Sequence, residues 1–170
     1  MNKKRVLFLC TGNSARSQMA EGLVNHFMGD AWEASSAGTR PAGYVHPLAI
    51  KALAEIGINI AGQQSKSVEV FRDVEFNQVI TVCDHAAKNC PVWLGKGRHV
   101  HIGFPDPAAA DGGDAAKLHI FRQVRNAIQA RVLEYLAQID EMDELTAQTR
   151  QQLLESNLFF LPDVPFPITR

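Results

Sequence analysis

The feature that most constrains this chain is Cys10-Thr11-Gly12-Asn13-Ser14-Ala15-Arg16-Ser17, set between two segments of different character. Before it runs Val6-Leu7-Phe8-Leu9, and after it Gln18-Met19-Ala20-Glu21-Gly22-Leu23-Val24. An apolar run without period-two alternation predicts a strand buried on both faces. Small and turn-forming residues then predict a tight loop, and a helix opens near Arg16. A strand feeding a helix through a short loop is the start of an α/β fold, in which later strands join a parallel sheet.

The rest of the chain repeats that alternation. The helix after the loop is expected to bury Met19, Leu23, Phe27 and Val24, with Gly29 as its stop. Trp32 to Gly38 reads as a second strand, and Pro47 to Ile56 as a helix with Ile50, Leu53 and Ile56 as its stripe. Val68 to Val74 predicts a short helix, and the β-branched run Gln78-Val79-Ile80-Thr81-Val82-Cys83 a third, buried strand. A helical turn or two is expected over 84–89, and a fourth strand over His99 to Gly103. Leu118, Phe121, Val124, Ile128, Val132 and Leu136 recur at helical spacing. The expectation is one doubly wound α/β domain over residues 1–139, with a four-stranded parallel sheet and helices on both faces. Residues 140–170 read as an appended extension: a separate helix over Glu144 to Leu158, then an extended end containing Pro162, Pro165 and Pro167.

Composition narrows the partners. A chain of 170 residues with 46% hydrophobic and 21% charged residues can build one ordinary core. A net charge of −1 gives no reason to expect nucleic acid or a membrane surface. No apolar run approaches the ~18 residues of a membrane span. The first one enters the cysteine loop too soon for a signal peptide, so the expected address is cytoplasmic. Three cysteines, Cys10, Cys83 and Cys90, are an odd number, which argues against a purely structural disulfide framework. The six histidines show no metal-ligand spacing, and neither a metal nor an organic cofactor is expected.

The chemistry starts at the loop. Backbone N–H groups of Thr11, Gly12, Asn13, Ser14, Ala15, Arg16 and Ser17 would converge on its centre, and the helix's positive end adds to them. Such surroundings favour a thiolate at Cys10, and Arg16 offers a planar, two-pronged grip on oxyanion oxygens. Ser17 can donate its hydroxyl to the Cys10 sulfur, and Asn13 tolerates the left-handed backbone such a loop needs. A cysteine and an arginine at this spacing are common by chance. Their setting between a buried strand and a helix start is what makes them a candidate site for capturing a tetrahedral oxyanion. Asp106, beside Pro107 after the fourth strand, is the candidate general acid, although Asp-Pro is also an ordinary turn pair.

The loop and its continuation to Gly22 resemble, almost residue for residue, the nucleophile loop of the low-molecular-weight phosphotyrosine phosphatase superfamily. Within it the chain is most similar to thioredoxin-coupled arsenate reductases. Ser36-Ala37-Gly38, Val82-Cys83, Asn89-Cys90-Pro91, Asp106-Pro107-Ala108 and Phe121-Arg122-Gln123-Val124-Arg125 carry the likeness further, over roughly residues 4 to 138. The resemblance implies arsenate as substrate and thioredoxin as reductant. It implies Cys10 as nucleophile, Arg16 as clamp, Asp106 as acid, Cys83 and Cys90 as a thiol relay, and Asn13, Ser17 and Ser36 in support.

The cysteines separate the alternatives. A phosphatase needs one, because water hydrolyses its cysteinyl phosphate. Reducing arsenate takes two electrons, which a thiol pair supplies by becoming a disulfide. The alternatives are therefore a phosphatase whose extra cysteines guard the nucleophile, or a non-catalytic redox-sensing oxyanion module. If 83–90 were helical, Cys83 and Cys90 would lie roughly 10 Å apart, whereas a disulfide needs Cα atoms within about 7 Å, so oxidation is expected to rearrange 84–92. Alanines at 108–110, where phosphotyrosine enzymes typically carry tyrosines, point to a small inorganic oxyanion. Some relatives bind potassium through the equivalents of Asn13 and Ser36 and an aspartate. Lys66 stands in that aspartate's place, so no potassium dependence is expected.

Overall fold

The computed structural model describes residues 2–84 and 92–158, with side chains through Glu155. It divides into two compact units, residues 1–133 and 134–170. The first holds a four-stranded, all-parallel sheet in the order β2-β1-β3-β4. Its strands are β1 (Lys4–Cys10), β2 (Trp32–Gly38), β3 (Gln78–Thr81) and β4 (Arg98–His101). β1 pairs with β2 on one side and β3 on the other, and Val6, Leu7, Phe8 and Leu9 are fully buried. That is why its apolar run is continuous: neither of its faces meets water. β3 is buried throughout, whereas the edge strand β4 exposes three of its four residues.

Among the described residues three α-helices accompany the sheet: α1 (Arg16–Phe27), α2 (Pro47–Ala54) and α3 (Asp114–Leu158). α1 buries Ser17, Gln18, Met19, Ala20, Gly22, Leu23 and Val24. Phe27, expected inside, is 48% exposed and meets the His26 ring edge-on. The buried face is turned toward Ser17 and Gln18 because those polar side chains serve the loop. α2 buries Ala49, Ala52 and Leu53 rather than Ile50 and Ile56. Small residues there let it approach α1 closely: a Cβ on Gly22 would come within 2.9 Å of the Leu53 side chain. The expected helix from Val68 is a 3₁₀ turn, Val68–Phe71, whose end residues pack against Leu7, Leu9, Ala37, Phe76 and Val79.

The extension departs from expectation in its continuity. The sequence leads one to expect a separate helix over 144–158, but α3 is unbroken from Asp114 to Leu158. No glycine or proline interrupts that stretch, and Ala, Leu, Gln, Glu and Arg dominate it. In the second unit it exposes Met142, Leu145, Leu153 and Leu154. The helical turns expected at 84–89 and the extended end at 159–170 fall outside the described residues. No described helix is long and apolar enough to cross a membrane.

The strand order places the site. The chain leaves β1 for β2 on one side, then crosses back to β3 on the other, so the order reverses between β1 and β3. Open α/β sheets bind ligands outside the carboxyl ends of their strands at such a reversal. Cys10 ends β1 there. Val82, whose N–H donates to Leu9 O at 2.9 Å, brings Cys83 to the same edge.

Candidate active site

Cys10 is a free, buried thiol at the last position of β1. The loop turns around its sulfur: Asn13 N–H donates to Cys10 Sγ at 3.1 Å, and Ser17 Oγ lies 2.9 Å from it. Asn13 makes the turn with φ of 45°, the left-handed region that asparagine tolerates better than most side chains. Ala15 at the head of α1 supplies no side-chain cap, so the helix's first N–H groups remain available at the loop. Gly38 at the end of β2 lies so near that a Cβ there would meet Thr11 O at 2.5 Å. The glycine of Ser36-Ala37-Gly38 is thus required by close backbone approach.

A cavity of about 450 Å³ opens over the loop, lined by residues 10–16 together with Cys83, Asp84, Asp106 and Ala108. It brings together Cys10, Arg16, Cys83 and Asp106, four candidates spread over nearly a hundred residues of sequence. Arg16 Nη1 donates to Phe104 O at 3.0 Å, and its Nη2 lies 3.7 Å from Asp106 Oδ2. Asp106 Oδ1 accepts from Ala108 N–H at 3.2 Å, starting a 3₁₀ turn over Pro107–Ala109. The Asp106 side chain is 42% exposed and lines the cavity. Cys83 is disulfide-bonded. Cys90 lies outside the described residues.

Behind the loop runs a polar network that sequence reasoning caught only in part. Asn13 Nδ2 donates to both Ser17 Oγ and Ser36 Oγ at 2.9 Å, and Ser36 Oγ in turn donates to the Glu21 carboxylate. Lys66 Nζ stands 3.8 Å from Glu21 Oε2. Asn13 Oδ1 accepts from Lys66 N–H at 2.8 Å and from Gln18 Nε2 at 3.1 Å, which fixes the amide's orientation. Burial raises the Glu21 pKa, opposed by the Ser36 hydrogen bond and by the Lys66 charge. Sequence reasoning singles out neither Glu21 nor Gln18. The available signal was polarity at Gln18 and Glu21 on the helix face that the fold buries.

Residues 5–145 match the family of low molecular weight phosphotyrosine protein phosphatases. The chain belongs to that family. An arsenate reductase of Halalkalibacterium halodurans is 47% identical over 132 residues, 78% of this chain and 94% of that protein. Among solved structures, an arsenate reductase in its phosphate-binding state superposes with a TM-score of 0.64 at 32% identity, covering 80% of this chain and 98% of the other. A thioredoxin-dependent arsenate reductase of Corynebacterium glutamicum matches with a TM-score of 0.60 at 28% identity, covering 84% of this chain and 64% of that one. Among the described residues no cluster of metal-ligating side chains occurs.

Proposed function

We propose that this protein is an arsenate reductase in which Cys10, Cys83 and Cys90 act in succession, with thioredoxin as the final reductant. The observation that carries the reading is Cys83 lining the same cavity as the Cys10 loop. Arsenate sits in the ring of loop N–H groups with Arg16 across two of its oxygens. The Cys10 thiolate attacks arsenic, and Asp106 protonates the oxygen that leaves as water. Cys83 then attacks the Cys10 sulfur: the S–S bond forms, the S–As bond breaks, and its electron pair stays on arsenic as arsenite. Cys90 attacks Cys83 and frees Cys10, and thioredoxin reduces the Cys83–Cys90 pair. A free Cys10 with Cys83 in a disulfide is the thiol state the relay expects once Cys10 has been freed and before thioredoxin acts.

The deciding experiment is arsenate-dependent NADPH consumption with thioredoxin and its reductase. Cys83→Ser and Cys90→Ser variants should lose turnover, and normal turnover in either would refute the relay. Hydrogen exchange over 84–92 should differ between reduced and oxidised protein, and identical exchange counts against the rearrangement. The family also contains phosphatases, which share the oxyanion loop. Rapid aryl-phosphate hydrolysis without arsenate turnover would transfer the assignment to them.

Lys66 supports a second element of the proposal. Its ammonium reaches the Glu21 end of the network that begins at Cys10. It therefore supplies the positive charge that potassium gives in some relatives. Turnover should be equal in potassium and sodium chloride at matched ionic strength. A several-fold preference for potassium would count against this role.

A further inference from the structure

Arg131 lies on α3 within the first unit and touches neither the loop nor its sulfur. Its Nη1 donates to Gly103 O at 3.0 Å, and its guanidinium stacks 4.9 Å from the centre of the Phe104 ring. The same short segment holds Arg16, whose Nη1 donates to Phe104 O at 3.0 Å. Two residues on stands Asp106, 3.7 Å from Arg16 Nη2. The segment has left β4 by this point and is tied to the sheet by single backbone bonds. Ile102 N–H donates to Thr81 O at 2.9 Å, and Phe104 N–H to Val82 O at a longer 3.4 Å. Arg131 grips it from the other side.

We infer that Arg131 is a positioning residue for oxyanion capture. It fixes Gly103 and Phe104, and Phe104 O then holds one arm of Arg16 so that the remaining donors face the loop. The inference rests on the reading of Arg16 as the oxyanion clamp. A two-pronged grip requires the guanidinium plane to be set in advance, since an arginine free to rotate gives up side-chain entropy on binding. Phe104 is buried with the Arg131 guanidinium stacked on its ring. The backbone carbonyls are what the arginine organises: one accepts from Arg131, and the next accepts from Arg16.

The test uses reduced, full-length protein and inorganic phosphate as the probe. Alkylation of Cys10 by iodoacetamide is followed on the Cys10 peptide by mass spectrometry, with phosphate titrated in. Arg131→Met should raise the phosphate concentration giving half-protection by about 3- to 10-fold, the loss of one well-placed hydrogen bond. Its phosphate-free alkylation rate should stay within about twofold of wild type, because no Arg131 contact reaches the sulfur. In turnover, KM for arsenate should rise by more than kcat falls. Arg131→Lys, which keeps a cation and a donor, should recover much of the protection, and it decides the matter if the methionine variant misfolds. Unchanged protection overturns the inference. So does a phosphate-free rate that shifts as much as the protection, since that is the signature of general loosening. Absent protection in wild type would defeat the clamp reading of Arg16 itself, and that outcome is visible before any substitution is made.

Discussion

Ser17 has one hydrogen to give, and the network behind the loop decides where it goes. A carboxylate only accepts, so Glu21 draws the Ser36 hydroxyl hydrogen toward itself. Ser36 Oγ then accepts from Asn13 Nδ2, and the other hydrogen of that amide occupies Ser17 Oγ. The Ser17 hydrogen is left pointing at Cys10 Sγ, 2.9 Å away. A hydrogen bond to a charged group is worth about 1.5–3 kcal/mol, so Ser17→Ala should slow Cys10 alkylation near neutral pH by about 10- to 100-fold. Iodoacetamide trapping measures this directly, and an unchanged rate would mean that Ser17 does not steady the thiolate. Asp106 stands on different evidence: it touches Arg16 and the cavity but not the sulfur. Asp106→Asn should therefore leave alkylation nearly intact while lowering arsenate turnover by about 10²- to 10⁴-fold, the usual range for a general acid. At this scale the sequence was most legible where partners are close along the chain. Cys10, Asn13 and Ser17 lie within one loop and could be assigned roles from it. Lys66 and Glu21 meet only because β2 and the chain after α2 fold back over α1, and nothing local in either residue announces that.

The elements divide along the same line. β1 and β3 were readable because central strands of a parallel sheet are apolar on both faces, while the ends of β4 shifted because an edge strand carries a weaker pattern. α2 shows how a cap escapes a periodicity argument. His46 precedes it, and its Nδ1 accepts from Leu48 N–H at 3.1 Å while its ring lies 4.7 Å from the Phe121 centroid. Only a ring without a proton on Nδ1 can accept that bond. Burial lowers the His46 pKa, with Asp106 and Asp114 opposing and Lys117 reinforcing. The unfolded chain therefore binds a proton more readily than the folded one between the lowered value and the ordinary 6.5 or so. Stability contributed by neutral His46 is present above that window and is lost as pH falls through it. His46→Asn keeps a capping acceptor without the titration. Urea unfolding from pH 5 to 7.5 should show a shallower pH slope for the variant, and superimposable slopes would exclude His46 as the source.

For the whole molecule, the question is what residues beyond the shared fold contribute. The matched family segment ends at 145, and the Halalkalibacterium halodurans protein is covered over 94% of its length by only 78% of this chain. Every group placed in the proposed reaction lies between Cys10 and Asp106, within the first unit. The second unit adds helix that exposes Leu153 and Leu154 after the matched segment ends, with no candidate reactive group among its described residues. Helical propensity alone makes a continuation of α3 inexpensive, because an existing helix only has to propagate. That is also why its continuity was hard to see from sequence: the core-facing period fades after Leu136, yet nothing in the chain stops the helix. A chain ended after Leu145 should accordingly keep arsenate turnover within about twofold of the full protein, since every group placed in the proposed reaction belongs to the first unit. It should also show less exposed apolar surface by dye binding. Loss of turnover on this truncation, with the first unit still folded by circular dichroism, would assign the extension a direct part in the reaction.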